Sequence, residues 1–233
     1  MSLLVGTSGY AYKEWKGKFY PADLSADGFL GYYASQFPTV EINNTFYRMP
    51  KETVLAGWAS QVPEGFSFVL KASQRITHHH RLAEVESLLE YSLRNASVLG
   101  SKLGPTLFQL PPNMKKDLPR LVAFLKLLPR KWRAALEFRH TSWFDDEVFG
   151  ALRESGAALC IAESDDGEPT PLVATAAWGY ARLHKSGYGK KDLSAWAKKL
   201  KDQAWEEGYV FFKHEDDVAG PKVALEFKEM VEG

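Results

Sequence analysis

Eight short apolar runs of β-strand character punctuate the chain, at residues 3–7, 39–43, 66–72, 106–110, 134–138, 158–162, 178–184 and 209–213. Each is rich in aliphatic or aromatic side chains, which suit a pleated, half-buried surface. Between nearly all of them the apolar period changes from strand-like to helical. Leu30, Tyr33, Ala34 and Phe37 fall at i, i+3, i+4 and i+7, as do Leu55, Trp58, Ala59 and Val62. Leu118, Leu121, Val122 and Leu125, and later Leu193, Trp196, Ala197 and Leu200, repeat the pattern, so each set lines one face of a helix. Segments 84–99, 145–155 and 223–231 read similarly. Pro38, Pro63 and Pro129 follow helix ends, Pro50 suits a helix start, and Gly100, Gly156 and Gly208 stand where a helix C-terminus favours glycine.

Strands alternating with helices imply a parallel sheet, and eight right-handed βα units close on themselves as a barrel. The expected class is therefore α/β, a (β/α)8 TIM-type barrel; an open doubly wound sheet is the alternative. One helix is missing or very short, the sixth, because segment 165–176 contains proline and reads as a loop. No linker or low-complexity stretch divides residues 1–233, so a single domain is expected. Helix-to-strand connections are tight, whereas strand-to-helix loops such as 8–26 and 73–82 are long, polar and aromatic. In a barrel these loops open on one face, the C-terminal mouth, where active sites of this architecture lie.

Period-two alternation places ionisable and amide side chains on the inward face at the strand ends: Glu41 and Asn43, Lys71, Gln109, Glu137 and Arg139, and Arg182 and His184. Barrel interiors are normally filled by Val, Ile and Leu, so a polar layer there is costly unless its members pair or bind something. One reading is a self-neutralising salt-bridge network. The other gives catalytic roles to Glu137, Glu41, His184 and Lys71, with Arg139, Arg182, Asn43 and Gln109 binding substrate. Buried networks add little net stability over apolar packing, which favours the second. Tyr10, Trp15, Tyr47 and Trp143, with Tyr12, Phe46 and Tyr188, supply an aromatic wall for stacking.

Other signals are weaker. Residues Gly6, Thr7, Ser8 and Gly9 form a turn that fits neither nucleotide-binding glycine motif. His78, His79 and His80 are adjacent, a poor arrangement for directing three rings at one ion, so no metal ligands are assigned and no cofactor is evident; a divalent metal is not favoured. Cys160 is the sole cysteine, which excludes an internal disulfide, and its place within a strand gives it the role of a small apolar residue. Lys plus Arg and Asp plus Glu both number 29, so the overall field does not attract nucleic acid or an anionic membrane. No apolar run approaches the roughly 18–20 residues of a membrane span, and the N-terminus lacks a signal-peptide pattern. A cytoplasmic location and no membrane partner are expected, and no pattern specifies an oligomeric state.

The segment Val5-Gly6-Thr7-Ser8-Gly9-Tyr10 with Trp15, then Phe19-Tyr20-Pro21, resembles the opening of the YecE-like proteins, domain of unknown function 72. So do Val40-Glu41-Ile42-Asn43-Asn44-Thr45-Phe46-Tyr47, Phe68 with Lys71-Ala72, Gln109-Leu110-Pro111-Pro112, Glu137-Phe138-Arg139-His140 with Trp143, and Arg182-Leu183-His184. The resemblance implies a TIM-type barrel with those segments at one mouth, and no settled reaction. Two places depart from it: Phe212-Lys213-His214-Glu215-Asp216, where relatives more often carry an asparagine pair, and Lys185, which replaces a glycine after the histidine. Both add charge near the mouth. The expected function is an enzyme, such as a hydrolase or another acid/base catalyst, acting on a small polar substrate, sugar-like or phosphorylated. The alternatives are a nucleic-acid binding or processing protein and a non-catalytic metabolite binder. Metal-dependent nuclease chemistry fits poorly, because Lys71, Arg139 and Arg182 would compete with a divalent ion for the carboxylates.

Overall fold

All eight expected strands form and pair in parallel: β1 (Ser2–Thr7), β2 (Thr39–Ile42), β3 (Ser67–Lys71), β4 (Leu103–Gln109), β5 (Ala134–Glu137), β6 (Ala158–Ser164), β7 (Trp178–His184) and β8 (Glu207–Phe212). The structure, a computed structural model, describes residues 1–213 and 219–233. Between the strands run α1 (Phe29–Gln36), α2 (Glu52–Ser60), α3 (Glu86–Ala96), α4 (Leu118–Leu127), α5 (Asp146–Ser155) and α6 (Lys190–Lys201), and α7 (Ala219–Glu232) follows β8. The connection from β6 to β7 carries no helix, as its proline content predicts. No helix among the described residues is long and apolar enough to cross a membrane.

Local chemistry sets the helix ends. The Asp117 and Asp145 carboxylates accept the Arg120 and Glu147 amides at 3.1 and 2.9 Å, capping α4 and α5. At the other end of α5, Gly156 takes the left-handed conformation with φ 72°, which a β-carbon would oppose. Gly208 differs from expectation. It lies inside β8, where a β-carbon would come within 2.6 Å of Leu3 and 3.2 Å of the Trp205 ring; close packing, not a helix end, requires the glycine.

Strand order runs β1-β8-β7-β6-β5-β4-β3-β2, and the two ends of that series meet to form a nearly closed barrel. Outward strand faces pack on the helices. The inward faces form a separate cluster of Val69, Leu107, Ala135, Cys160, Tyr180, Tyr209 and Phe211. The charged residues stand above this plug at the C-terminal strand ends, where further apolar side chains would have closed the mouth.

The β1–β2 seam closes differently from the other seven. Its only strand-like bridge joins Ser8 to Glu41, with the Gly9 amide donating to the Glu41 carbonyl at 2.8 Å. Below that point the buried Tyr33 hydroxyl, arriving from α1, stands between the strands. It accepts the Thr7 amide at 2.8 Å and donates to the Thr39 carbonyl at 3.1 Å. Gly6 permits this approach, since a β-carbon there would sit 2.2 Å from the Thr39 carbonyl oxygen. Tyr33→Phe should therefore leave two buried backbone groups unpaired and cost about 1–3 kcal/mol. Urea midpoints of the two proteins check this; an unchanged midpoint would mean that the hydroxyl does not hold the seam.

Candidate active site at the barrel mouth

Arg182 organises the mouth. Reaching inward from β7, its guanidinium donates through Nε and Nη2 to the two oxygens of Glu41, both at 3.0 Å, and through Nη1 to Glu137 at 2.7 Å. All three side chains are buried. This fork geometry suits carboxylates, and its charge offsets part of their desolvation cost. The sequence places the pieces simply: Glu41 ends β2, Glu137 ends β5, and Arg182 sits two residues after Tyr180 on the inward face of β7.

The two carboxylates differ in what remains available. Besides Arg182, Glu41 accepts Ser8 Oγ at 2.6 Å, Tyr180 Oη at 2.6 Å and Asn43 Nδ2 at 3.1 Å. Five donors on about four lone-pair positions leave it saturated. Burial alone would raise its pKa, but Arg182, His184 and the Ser8 and Tyr180 hydroxyls hold it down at about 2. Its surroundings thus hold Glu41 in the charged form. Among the described residues Glu137 accepts from Arg182 and Gln109 Nε2, the latter at 2.8 Å, with Arg139 at 3.5 Å and half exposed.

Lys71, at the end of β3, lies over the Phe46 ring at 4.4 Å, and His78 meets the same ring edge-on at 4.9 Å. Burial first, and then the positive charge of Arg182, lower the Lys71 pKa to about 8. His78 belongs to a single π-helical turn, Arg75–His79, which directs one ring of the histidine run to the mouth. Among the described residues no group of three His, Cys, Asp or Glu side chains could hold a metal ion. His184 Nε2 lies 3.0 Å from Ser8 Oγ, so Ser8 stands between the histidine and Glu41. A catalytic triad places the histidine in the middle, so this order does not make Ser8 its nucleophile.

Glu41, Asn43, Lys71, Gln109, Glu137, Arg139, Arg182 and His184 all converge here. Of the expected aromatic wall, Phe46 joins them beneath Lys71, whereas both tryptophans lie elsewhere. Trp15 is 1% exposed among Tyr12, Phe19 and Tyr20, and Trp143 is fully buried, stacked on Phe138 at 4.7 Å with its indole N–H donating to Met114 O at 2.7 Å. Both hold loops in place and cannot stack a ligand. Tyr10 packs on Tyr33, and Tyr47 stands on the rim, 73% exposed. Tyr180 and Ser8 are the partners that the sequence reading missed. Tyr180 shared its face with Arg182 and was legible by the same alternation.

Glu137, Arg139, Arg182, His184 and Lys213 line a cavity of about 410 Å³, completed by the 163–168 loop. Two other cavities, about 520 and 600 Å³, open at the N-terminal strand ends around Trp132 and Arg133, the end that serves stability in this architecture. Of the two departures from the resemblance, Lys185 is exposed at the rim, and His214-Glu215-Asp216 lies outside the described residues.

Fold and mouth together define a TIM-type barrel with a buried, charge-paired layer at its C-terminal strand ends. The chain belongs to the family described as protein of unknown function DUF72, whose model matches residues 4–233. It is 34% identical to the UPF0759 protein YecE of Escherichia coli K12 over 113 residues, 48% of this chain and 42% of that protein, so the match spans less than half of that relative. With the UPF0759 protein YunF of Bacillus subtilis 168 it shares 30% identity over 190 residues, 74% of this chain and 66% of that one. Among solved structures, a DUF72 family protein from Thermotoga maritima MSB8 superposes with a TM-score of 0.89 at 27% identity, covering all of both chains. One from Enterococcus faecalis V583 gives 0.84 at 19% identity, over 99% of this chain and 96% of that one.

Two predictions follow from the pairing. Glu41→Gln leaves Arg182 short of its bidentate partner and should cost about 3–5 kcal/mol. Glu137→Gln leaves that fork intact and should cost less, roughly 1–3 kcal/mol; equal denaturant midpoints would contradict the distinction. Because the folded Glu41 pKa lies below the ordinary 4.5, its contribution to stability is full above pH 4.5. It is lost as pH falls from there toward about 2, so the wild-type urea midpoint should drop through that window and that of Glu41→Gln should drop less.

Proposed function

We propose that the mouth is an active site for a small polar substrate bearing an anionic or carbonyl group, sugar-like or phosphorylated, transformed by acid/base chemistry at Glu137. The observation that carries this reading is the unequal treatment of two carboxylates held by one guanidinium. Glu41 is sealed by five donors, whereas Glu137 borders the cavity with acceptor capacity to spare. Paired carboxylates in different environments are how one site separates a fixed charge from a proton carrier. Arg139, Arg182 and Lys213 line one side of this cavity and Glu163, Asp165, Asp166 and Glu168 the other, so an anionic group or a developing oxyanion would be held on the arginine side. His184 borders the same cavity and supplies a second proton-transfer group.

The test begins with a thermal-shift screen of sugar phosphates, 2-oxo acids and uncharged sugars, followed by turnover assays on compounds that stabilise the protein. Arg139→Ala should abolish stabilisation by the anionic compounds. Glu137→Gln should keep the shift while turnover falls by about 10²–10⁴-fold. Retained turnover in Glu137→Gln would move the chemistry to another group.

A further inference from the structure

Lys71 is chemically out of place for a residue that serves stability. Among the described residues its ammonium makes no hydrogen bond and has no carboxylate within 4 Å; it lies over the Phe46 ring. An unpaired, largely buried ammonium weakens the fold, and Met or Leu would fill the same space without that cost. Asn43 follows the last β2–β3 pair, Ile42 with Leu70, and so leaves β2 at the same level at which Lys71 ends β3. The Asn43 Oδ1 is the one buried side-chain polar atom without a partner among the described residues. A partly buried amine without a hydrogen bond and a nearby orphaned acceptor suit a ligand that both accepts attack and carries a hydroxyl to donate.

We propose that Lys71 is the nucleophile of an imine-forming site, taking the aldehyde or ketone carbon of a small anionic substrate. This rests on the mouth being the substrate site. The Nζ lone pair attacks the carbonyl carbon and the C–O π pair becomes a hydroxyl, giving a carbinolamine whose O–H can donate to Asn43 Oδ1. The C–O bond then breaks and the oxygen departs as water, carrying two protons that the lysine ammonium originally held. What remains is a C=N bond with one N–H and one positive charge, so the site's charge is unchanged by the condensation. Arg139, half exposed at the rim and ion-paired through Nε with Glu137 at 3.5 Å, would also pair with the substrate's carboxylate or phosphate. Attack needs the free amine. Burial and the Arg182 charge supply it by holding the Lys71 pKa at about 8, so a substantial fraction is deprotonated near neutral pH.

The experiment is reductive trapping of the intact protein. Glyoxylate and dihydroxyacetone phosphate are each added with cyanoborohydride at pH 7.5, and each lysine's labelling rate is read by peptide mass spectrometry. A lysine with pKa near 8 holds on the order of 100-fold more free amine at that pH than one near 10.4, and its lower basicity offsets part of that. Lys71 should therefore be alkylated roughly tenfold or more faster than exposed Lys51 and Lys191, and the preference should vanish in urea. Thermal shifts with the same two probes separate the two ideas. If a probe stabilises the protein yet Lys71 is labelled no faster than Lys191, the imine inference fails and the mouth reading stands. If neither probe labels Lys71 faster than Lys191, whether or not it stabilises the protein, the imine inference fails; where neither stabilises it, the mouth reading is then decided by the sugar and sugar-phosphate arms of the thermal-shift screen.

Discussion

A guanidinium cannot be taken out of water alone, and the architecture of the mouth follows from giving Arg182 enough negative charge inside the barrel. One carboxylate fills two of its faces and a second takes the remaining nitrogen. Those carboxylates end strands on different sides of the barrel, so the ion group ties β2, β5 and β7 across the axis rather than around the wall. Four neighbouring polar groups complete this arrangement: Tyr180, Ser8 and Asn43 saturate Glu41, and Gln109 supports Glu137. Apolar packing would have served stability as well or better. That the chain keeps charge here instead is the physical reason for looking for chemistry at this level.

The same arrangement divides labour between neighbours. Glu41 is fixed by donors that no ligand needs to displace, so it sets the position of Arg182 and the electrostatic background. Glu137 and Arg139 meet the cavity from that fixed base, and Lys71 feels the positive side of Arg182 without sharing its partners. A preorganised site of this sort need not reorganise its dipoles when charge develops on a substrate.

Much of this was legible in the sequence because alternation in a strand is a strict rule. Glu137 and Arg139, or Arg182 and His184, are two apart and therefore face the same way wherever the strand lies. Tyr180 obeys that rule too, yet an aromatic inside an apolar strand reads as core; its hydroxyl role depends on Glu41, 139 residues away. Trp15 and Trp143 show the opposite failure. In a loop no periodicity tells whether an indole faces a ligand or the loop's own interior, and here each fills a pocket made by its neighbours. The π-helical turn that brings His78 to Phe46 left no periodic trace, since one unusual turn is set by its surroundings. Gly208 was misread because a glycine after a helix and a glycine under an indole look alike in sequence.

The Tyr33 hydroxyl in the β1–β2 seam carries a consequence for how the barrel breathes. Seven of the eight strand boundaries are ladders, whereas this one is held by a side chain from a helix and a single bridge. Among strand boundaries, local opening costs least where the fewest backbone bonds must break together, so the amides of Thr7 and Gly9 should exchange faster than those within the ladders. Ser8, on β1's side of that edge, is bonded to Glu41 on the other. Excursions of the seam therefore pull on the carboxylate that orients Arg182, so a ligand bound at the proposed site would slow amide exchange along β1.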